Sequence, residues 1–239
     1  MATLIRLQAS TADWIYARIS KAVTLLSSAA QTAWIKRLKP ILFIACLLPF
    51  AQLIYDAFSG GLGADPIEDI TFRTGDWALR LLLITLAITP LRHLSGWNAL
   101  IRVRRMLGLF AFFYMCLHFL TYIVLDQFFA WNFILEDIIE RNYILVGFSA
   151  FVLLIPLAVT STNGMMRRLG GKRWQRLHRL VYVAAICGVI HFLWLVKSDI
   201  TEPAIYALTL ITLFAMRLYH RYAKATQAPA RPTQGAQAN

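Results

Sequence analysis

The sequence contains little cysteine and none of the usual cysteine motifs. Its three cysteines, Cys46, Cys116 and Cys187, all stand inside apolar stretches, and no two of them form a C-x-x-C pair. This pattern excludes a disulfide framework and a cysteine-based zinc site as readings of the sequence. We interpret the three as small hydrophobic residues that pack between other side chains.

The sequence also lacks the signatures of a soluble cofactor domain and of a secreted precursor. It has no G-x-G-x-x-G motif, so no dinucleotide-type nucleotide or flavin domain is predicted. The first 39 residues contain no uninterrupted apolar region like that of a cleaved signal peptide. A C-x-x-C-H motif is missing as well, which excludes covalent attachment of haem.

Hydrophobic residues, by contrast, are abundant. They make up 59% of the 239-residue chain, and the mean hydropathy is +0.58, whereas a soluble domain is usually about 45–50% apolar. The excess lies in blocks of roughly 15–20 residues, the length needed to cross about 30 Å of hydrocarbon. The sequence therefore predicts an all-α membrane protein, a six-transmembrane-helix bundle surrounded by membrane lipid. The predicted spans are Ile41–Phe58, Trp77–Leu91, Met106–Leu125, Tyr143–Thr160, Leu180–Val196 and Ala204–Tyr219.

Three regions follow from this pattern. Residues 1–39 form a basic N-terminal extension, which is either one or two helices on the cytoplasmic surface or a loosely ordered segment. Residues 40–221 form the six-helix transmembrane domain. Residues 222–239 have the proline-, glycine- and glutamine-rich composition of a disordered cytoplasmic tail.

The charges predict the orientation of the spans. Lys and Arg outnumber Asp and Glu by 24 to 12, but they lie between the apolar blocks, so no nucleic-acid partner is indicated. The loops after the first and third spans are acidic, whereas those after the second and fourth are rich in Lys and Arg. The positive-inside rule then places both chain ends in the cytoplasm, with the protein in the bacterial inner membrane. The external loops have fewer than about 20 residues, a length typical of connections rather than catalytic domains.

Two of the five histidines lie deep inside apolar spans, His118 in the third and His191 in the fifth. An imidazole there is costly without a partner, so it indicates a functional site or a helix–helix hydrogen bond. Both spans run in the same direction, and each histidine stands roughly 20 Å from the cytoplasmic start of its helix. Two imidazoles at one depth can ligate a haem iron from opposite sides, which suits electron transfer. His93 and His220 stand among charges at cytoplasmic helix ends and are interpreted as solvated.

His178 lies at the cytoplasmic mouth of the fifth span and is either a haem-site residue or a histidine of the basic loop. The positions that face it on the third span are Arg104 and Arg105. A guanidinium stays protonated and is not an ordinary iron ligand, but it can neutralise a haem propionate. On an ideal helix His178 and His191 point about 140° apart, so a shared partner requires a bend, for which Gly188 is the candidate.

A series of short motifs runs through the predicted transmembrane domain, from about residue 40 to residue 200. They are Gly60–Pro66, Arg104–Leu109 leading to His118 and Tyr122, Thr160–Ser161, Arg168–Gly170, and Trp174–His178 leading to His191. In order and spacing these motifs resemble the MsrQ (YedZ) family of haem-binding membrane subunits, which belongs with the ferric-reductase-like transmembrane proteins. The N-terminal extension lies outside the resemblance.

This resemblance implies b-type haem held by His118 and His191, with His178 also a haem-site residue. In the wider superfamily two helices supply two histidines each to two stacked haems, and three of those four are present here, which leaves a second haem open. The resemblance also implies FMN and electron supply from the quinone pool or a cytoplasmic flavin reductase. The acceptor it implies is MsrP, a periplasmic molybdenum-cofactor enzyme that reduces methionine sulfoxide in proteins. The chain would then transfer electrons, and no catalytic residue is assigned to it.

Two alternatives belong to other classes. The first is a six-helix transporter or membrane anchor whose buried histidines carry protons or brace helices, although the sequence shows no internal repeat of the kind common in transporters. The second is a ferric reductase acting on external metal, a function that usually comes with a fused flavin and nicotinamide domain. The presence or absence of haem separates the electron-transfer hypothesis from the transporter hypothesis.

Overall fold

Helices make up all the regular secondary structure in the described part of the chain. The computed structural model describes the backbone of residues 2–226 and the side chains of residues 27–223 and of Thr226. Over that range no strand is present, which confirms the predicted all-α class. The disordered tail predicted for residues 222–239 falls mainly on positions 227–239, which lie outside the described residues.

Nine α-helices follow one another within residues 2–226. A 3₁₀ turn at Asn98–Leu100 leads into the third helix, and a π-helix at Thr121–Asp126 continues it. The helices are α1 (Ala2–Ser59), α2 (Pro66–Ser95), α3 (Ile101–Leu120), α4 (Trp131–Glu140), α5 (Asn142–Val159), α6 (Asn163–Leu169), α7 (Gly171–Leu177), α8 (Leu180–Leu195) and α9 (Thr201–Thr226).

Five helical segments are long and apolar enough to cross a membrane, and the chain is a multi-pass membrane protein. These segments are Ser27–Ser59, Pro66–Ser95, Asn98–Asp126, Asn142–Val159 and Gly171–Leu195. They correspond to the first five predicted spans. The sixth predicted span lies in α9, which has 26 residues but is not one of these five. A count of six spans therefore stays a prediction.

α2 is longer than the second predicted span because capping residues define its ends. The side chain of Asp65 accepts hydrogen bonds from the N–H groups of Ile67 and Glu68, each at 3.0 Å, and so satisfies donors that a helix start leaves unpaired. Pro66 follows at a position that needs no N–H donor. At the other end Gly96 adopts a φ of 69°, the left-handed conformation that commonly ends a helix.

A tyrosine of α3, Tyr114, joins α3 to α1 by hydrogen bonds to two main-chain groups of α1. The helix runs unbroken from Ala2 and contains Pro49, which lacks an N–H donor. Next to this proline, the hydroxyl of Tyr114 donates to the carbonyl of Cys46 at 2.7 Å and accepts from the N–H of Phe50 at 3.1 Å. Tyr114 is only 1% exposed, so both bonds of its hydroxyl are made in the interior of the bundle, between α3 and α1.

Two helix pairs form the centre of the bundle, α2 with α3 and α5 with α8. Small residues allow their backbones to approach closely, as in many membrane proteins. Ala111, Ala150 and Ala184 are each at most 1% exposed, and Leu86 is fully buried. Further contacts of α3 with α5 and of α2 with α8 connect the two pairs, so that the inner faces of all four helices meet.

The Tyr114 contact generates a prediction about stability. The Tyr114→Phe variant removes the two hydrogen bonds from α3 to α1, at the N–H of Phe50 and the carbonyl of Cys46, and at a net value of about 0.5–1.5 kcal/mol each it should cost about 1–3 kcal/mol. We expect a lower midpoint of unfolding in detergent, measured by circular dichroism. The matched control is Tyr55→Phe on the same helix, because the Tyr55 side chain is 70% exposed. Equal midpoints for the two variants would contradict the structural role of the Tyr114 hydroxyl.

Candidate functional site

The two deeply placed histidines face each other across a cavity between the helix pairs. His118 comes from the last turn of α3 and His191 from α8, and their ring centroids are 6.2 Å apart with the ring planes at 76°. Both line a cavity of about 730 Å³. The structure thus brings together the two imidazoles that the sequence singled out by depth.

Each of these imidazoles is oriented by a hydrogen bond to the backbone of a neighbouring helix. His118 Nδ1 lies 2.8 Å from the carbonyl oxygen of Thr71 in α2, and His191 Nδ1 lies 2.7 Å from that of Tyr143 in α5. A carbonyl oxygen can only accept, so each Nδ1 carries the proton and donates it. Nε2, on the far side of each ring, is then unprotonated and has a lone pair for a metal.

The spacing of the rings fits two ligands on opposite sides of one metal. With metal–nitrogen bonds of about 2.0–2.1 Å and about 1.1 Å from each Nε2 to its ring centre, the centres should be roughly 6.3 Å apart. The observed separation is 6.2 Å. Among the described residues no three His, Cys, Asp or Glu side chains converge as a metal site. Two imidazoles alone therefore suit a metal that brings in-plane ligands of its own, as haem iron does.

The cavity is apolar around the histidines and charged at its outer end. Its inner wall contains aromatic rings, of which Phe119 and Phe151 lie with centroids 4.5 Å apart. The volume falls in the range of about 300–1,000 Å³ that is typical of cofactor sites. The charged residues that line it are Asp65, Glu68, Asp76, Asp126, Asp137, Arg141 and Lys197. Haem, a flat apolar group with two anionic propionates at one edge, would fit this cavity with the propionates towards Arg141 and Lys197, because the other five charged residues are carboxylates.

A π-helical turn begins at Thr121, three residues after His118, and contributes to this outer end. π-helical turns are frequent at functional sites, and this one carries Tyr122 into the cavity wall. The hydroxyl of Tyr122 donates to Asp137 at 3.2 Å, and Asp137 forms an ion pair with Arg141 at 3.0 Å. The turn after α3 is thereby connected to α4 and to the start of α5.

His178 lies away from this cavity, in the turn between α7 and α8. Its ring stacks on Trp174 with centroids 3.9 Å apart, and its Nε2 is 3.1 Å from the hydroxyl of Thr160. The indole N–H of Trp174 donates to the carbonyl of Thr160 at 2.9 Å. Because His178 precedes the first residue of α8, the ideal-helix angle of about 140° to His191 does not apply. Its role in a haem site stays a prediction.

The two arginines assigned to the site do not line the cavity either. Arg105 donates to the side-chain oxygen of Asn163 at 2.5 Å, at the start of α6. Arg104 lies within electrostatic range of His178 and Arg217. The structure therefore places Arg104 beside His178, and neither arginine reaches the His118–His191 pair.

Sequence reasoning missed the groups that hold the histidines. Thr71 and Tyr143 act through their main chain, so their side-chain types gave no signal. A glycine stands four residues after each of them, Gly75 and Gly147, and each glycine packs against the histidine ring. The two hydrogen bonds span 47 and 48 residues of the chain. Gly75 precedes His118 by nearly the same number of residues as Gly147 precedes His191. This repeated spacing is the sequence pattern that could have revealed the arrangement.

Comparison with known proteins shows the family to which the chain belongs. A family model described as "Ferric reductase like transmembrane component" matches residues 74–189, from α2 into α8. A protein of Herminiimonas arsenicoxydans named "Protein-methionine-sulfoxide reductase heme-binding subunit MsrQ" is 57% identical over 189 residues, covering 78% of this chain and 87% of that protein. This chain belongs to the MsrQ family.

Other MsrQ proteins match over similar lengths. The protein of that name from Rhodospirillum rubrum is 57% identical over 176 residues, which cover 74% of this chain and 85% of the relative. The one from Xanthomonas axonopodis pv. citri is 49% identical over 207 residues, covering 81% and 94%. The resemblance found in the sequence is thus confirmed, and the MsrQ family lies within the ferric-reductase-like transmembrane proteins.

Proposed function

We propose that this chain is the membrane subunit that holds b-type haem between His118 and His191 and passes electrons across the bilayer for methionine sulfoxide reduction. The observation that carries the proposal is the facing pair of imidazoles, whose centroids are 6.2 Å apart and whose Nδ1 atoms both bond to carbonyls. The names of the relatives, which describe a haem-binding subunit, support the choice of cofactor.

The described residues would hold the cofactor and control its surroundings. Haem bound here supplies one-electron redox chemistry, because two histidine ligands leave no open position for oxygen. His118 and His191 would keep the tautomer that is protonated at Nδ1, because the main-chain carbonyls of Thr71 and Tyr143 accept a hydrogen bond from that nitrogen. The apolar wall excludes water, and a dry surrounding is one of the means by which a protein sets a redox potential. Arg141 and Lys197 would provide the positive charge for propionates at the outer end.

Charge segregation supports a direction for the electron transfer. Asp13 apart, every acidic residue of the chain lies at or near an external helix end or loop, and all four ion pairs among the described residues are found there. Most Lys and Arg residues lie in the opposite loops, so the positive-inside rule puts both chain ends in the cytoplasm of the bacterial inner membrane. The cavity then opens to the periplasm, and His178, Arg104 and Arg105 lie on the cytoplasmic side.

The partners follow from this direction and from the family. The periplasmic reductase MsrP is the proposed acceptor, and the quinone pool or a cytoplasmic flavin reductase is the proposed donor. A second haem beside His178 stays a prediction of the resemblance. FMN is likewise implied only by the resemblance, and we assign no described residue to it.

Removal of the ligands tests the proposed cofactor. We expect His118→Ala and His191→Ala to abolish the b-type signal in a dithionite-reduced-minus-oxidised spectrum of the detergent-purified protein. The control His220→Ala, at the far end of α9 beside His93, should keep it. Partial loss in His178→Ala would indicate a second haem. A wild-type protein without haem, even after haem is supplied during expression, would favour the transporter or anchor hypothesis.

Cysteine labelling tests the proposed orientation. In a background with Cys46, Cys116 and Cys187 replaced by Ala, a membrane-impermeant maleimide should label Ser59→Cys in intact spheroplasts. Ser95→Cys should react only after the membrane is opened. Both residues are exposed, and they lie at opposite ends of the bundle. The reverse pattern would overturn the placement of the cavity mouth in the periplasm.

A further inference from the structure

The same backbone arrangement holds both histidines. In each case the carbonyl that accepts from Nδ1 belongs to a helix residue, Thr71 in α2 or Tyr143 in α5, and the residue four positions later is glycine. In an α-helix that later residue stands one turn above the carbonyl, on the same face. Gly75 and Gly147 therefore lie where a side chain would cover the route to the carbonyl.

The space at these glycines is too small for any side chain. A Cβ atom at Gly75 would stand 2.9 Å from His118 Nδ1, and one at Gly147 would stand 2.6 Å from His191 Nδ1. Real Cβ atoms essentially never approach another heavy atom that closely. The atom that would have to move is a ring nitrogen fixed by its hydrogen bond, not the end of a flexible chain.

Backbone conformation gives no other reason for glycine at these positions. Both lie inside α-helices, and neither has a positive φ. Glycine in a helix interior is destabilising relative to alanine, because it loses more conformational freedom on folding. The cost is therefore compensated by something outside the helix, and the three nearest atoms to a Cβ at either site all belong to the histidine ring.

We propose that Gly75 and Gly147 are positioning residues that keep the Thr71 and Tyr143 carbonyls open to the histidines. They thereby fix the tautomer and the donor strength of both iron ligands. This inference rests on the proposed haem site. A hydrogen bond from Nδ1–H to a carbonyl raises the basicity of the coordinating imidazole. A more basic ligand stabilises the oxidised iron, so these bonds should lower the reduction potential.

Alanine variants with a matched control test the role of the glycines. The control is Gly108→Ala, in α3 with His118, because its Cβ would meet only Thr85 Cγ2 at 3.5 Å, an ordinary contact. Haem affinity should fall roughly 10–100-fold in Gly147→Ala and less in Gly75→Ala, following the two distances. The midpoint potential should rise in the same order. The rise is about 59 mV for each factor of ten by which the affinity for oxidised haem falls more than the affinity for reduced haem. Gly108→Ala should match the wild type in both.

A second measurement needs no variant and covers the case in which a variant fails to accumulate. In wild-type protein with ¹⁵N-labelled histidine, NMR of the reduced form should show a protonated, hydrogen-bonded Nδ1 at both ligands. An unprotonated Nδ1 at either ligand would overturn the inference. So would haem affinities and potentials in Gly147→Ala equal to those in Gly108→Ala. A wild type that binds no haem would instead refute the proposed function, so the two failures are distinguishable.

Discussion

The structure depends on how a histidine in the hydrocarbon region satisfies its second ring nitrogen. Water is not available there, and an unpaired polar group inside a membrane costs several kcal/mol. His118 and His191 both donate from Nδ1 to a main-chain carbonyl that can also accept its own helix bond, since a carbonyl oxygen has two lone pairs. The donation fixes where each ring sits and which nitrogen faces the cavity. That contact orients the two ligands and joins α3 to α2 and α8 to α5. It also requires glycine at positions 75 and 147.

The same use of the backbone recurs at Tyr114. Its hydroxyl bonds to the main chain of Phe50 and Cys46, beside Pro49, which has no N–H donor of its own. Contacts of this kind tie the long α1 to the inner helices without buried charge. The four ion pairs among the described residues lie instead towards the end of the bundle that contains Asp65 and Arg141, where solvent and headgroups reduce the cost of desolvation. The interior of the bundle is thus left to apolar packing and to the histidine cavity.

Much of this arrangement could be predicted from the sequence. The length of the apolar blocks predicted five spans that the structure contains. The number of residues from the cytoplasmic start of each helix put His118 and His191 at one depth. The carbonyls of Thr71 and Tyr143 could not be predicted, because a main-chain acceptor has no side-chain signature. The position of His178 was open for a related reason: the end of α7 and the start of α8 interrupt the helical periodicity on which its direction was calculated. The π-helix after His118 likewise depends on tertiary contacts.

In the proposed site, two imidazoles from different helix pairs ligate one haem iron with their planes far from parallel. Low-temperature EPR of the oxidised protein tests it most directly, because the angle between ligand planes determines the anisotropy of a low-spin signal. With ring planes at 76°, we expect a highly anisotropic low-spin signal with one dominant large g value. A high-spin signal, or the well-resolved rhombic signal of parallel imidazoles, would contradict it.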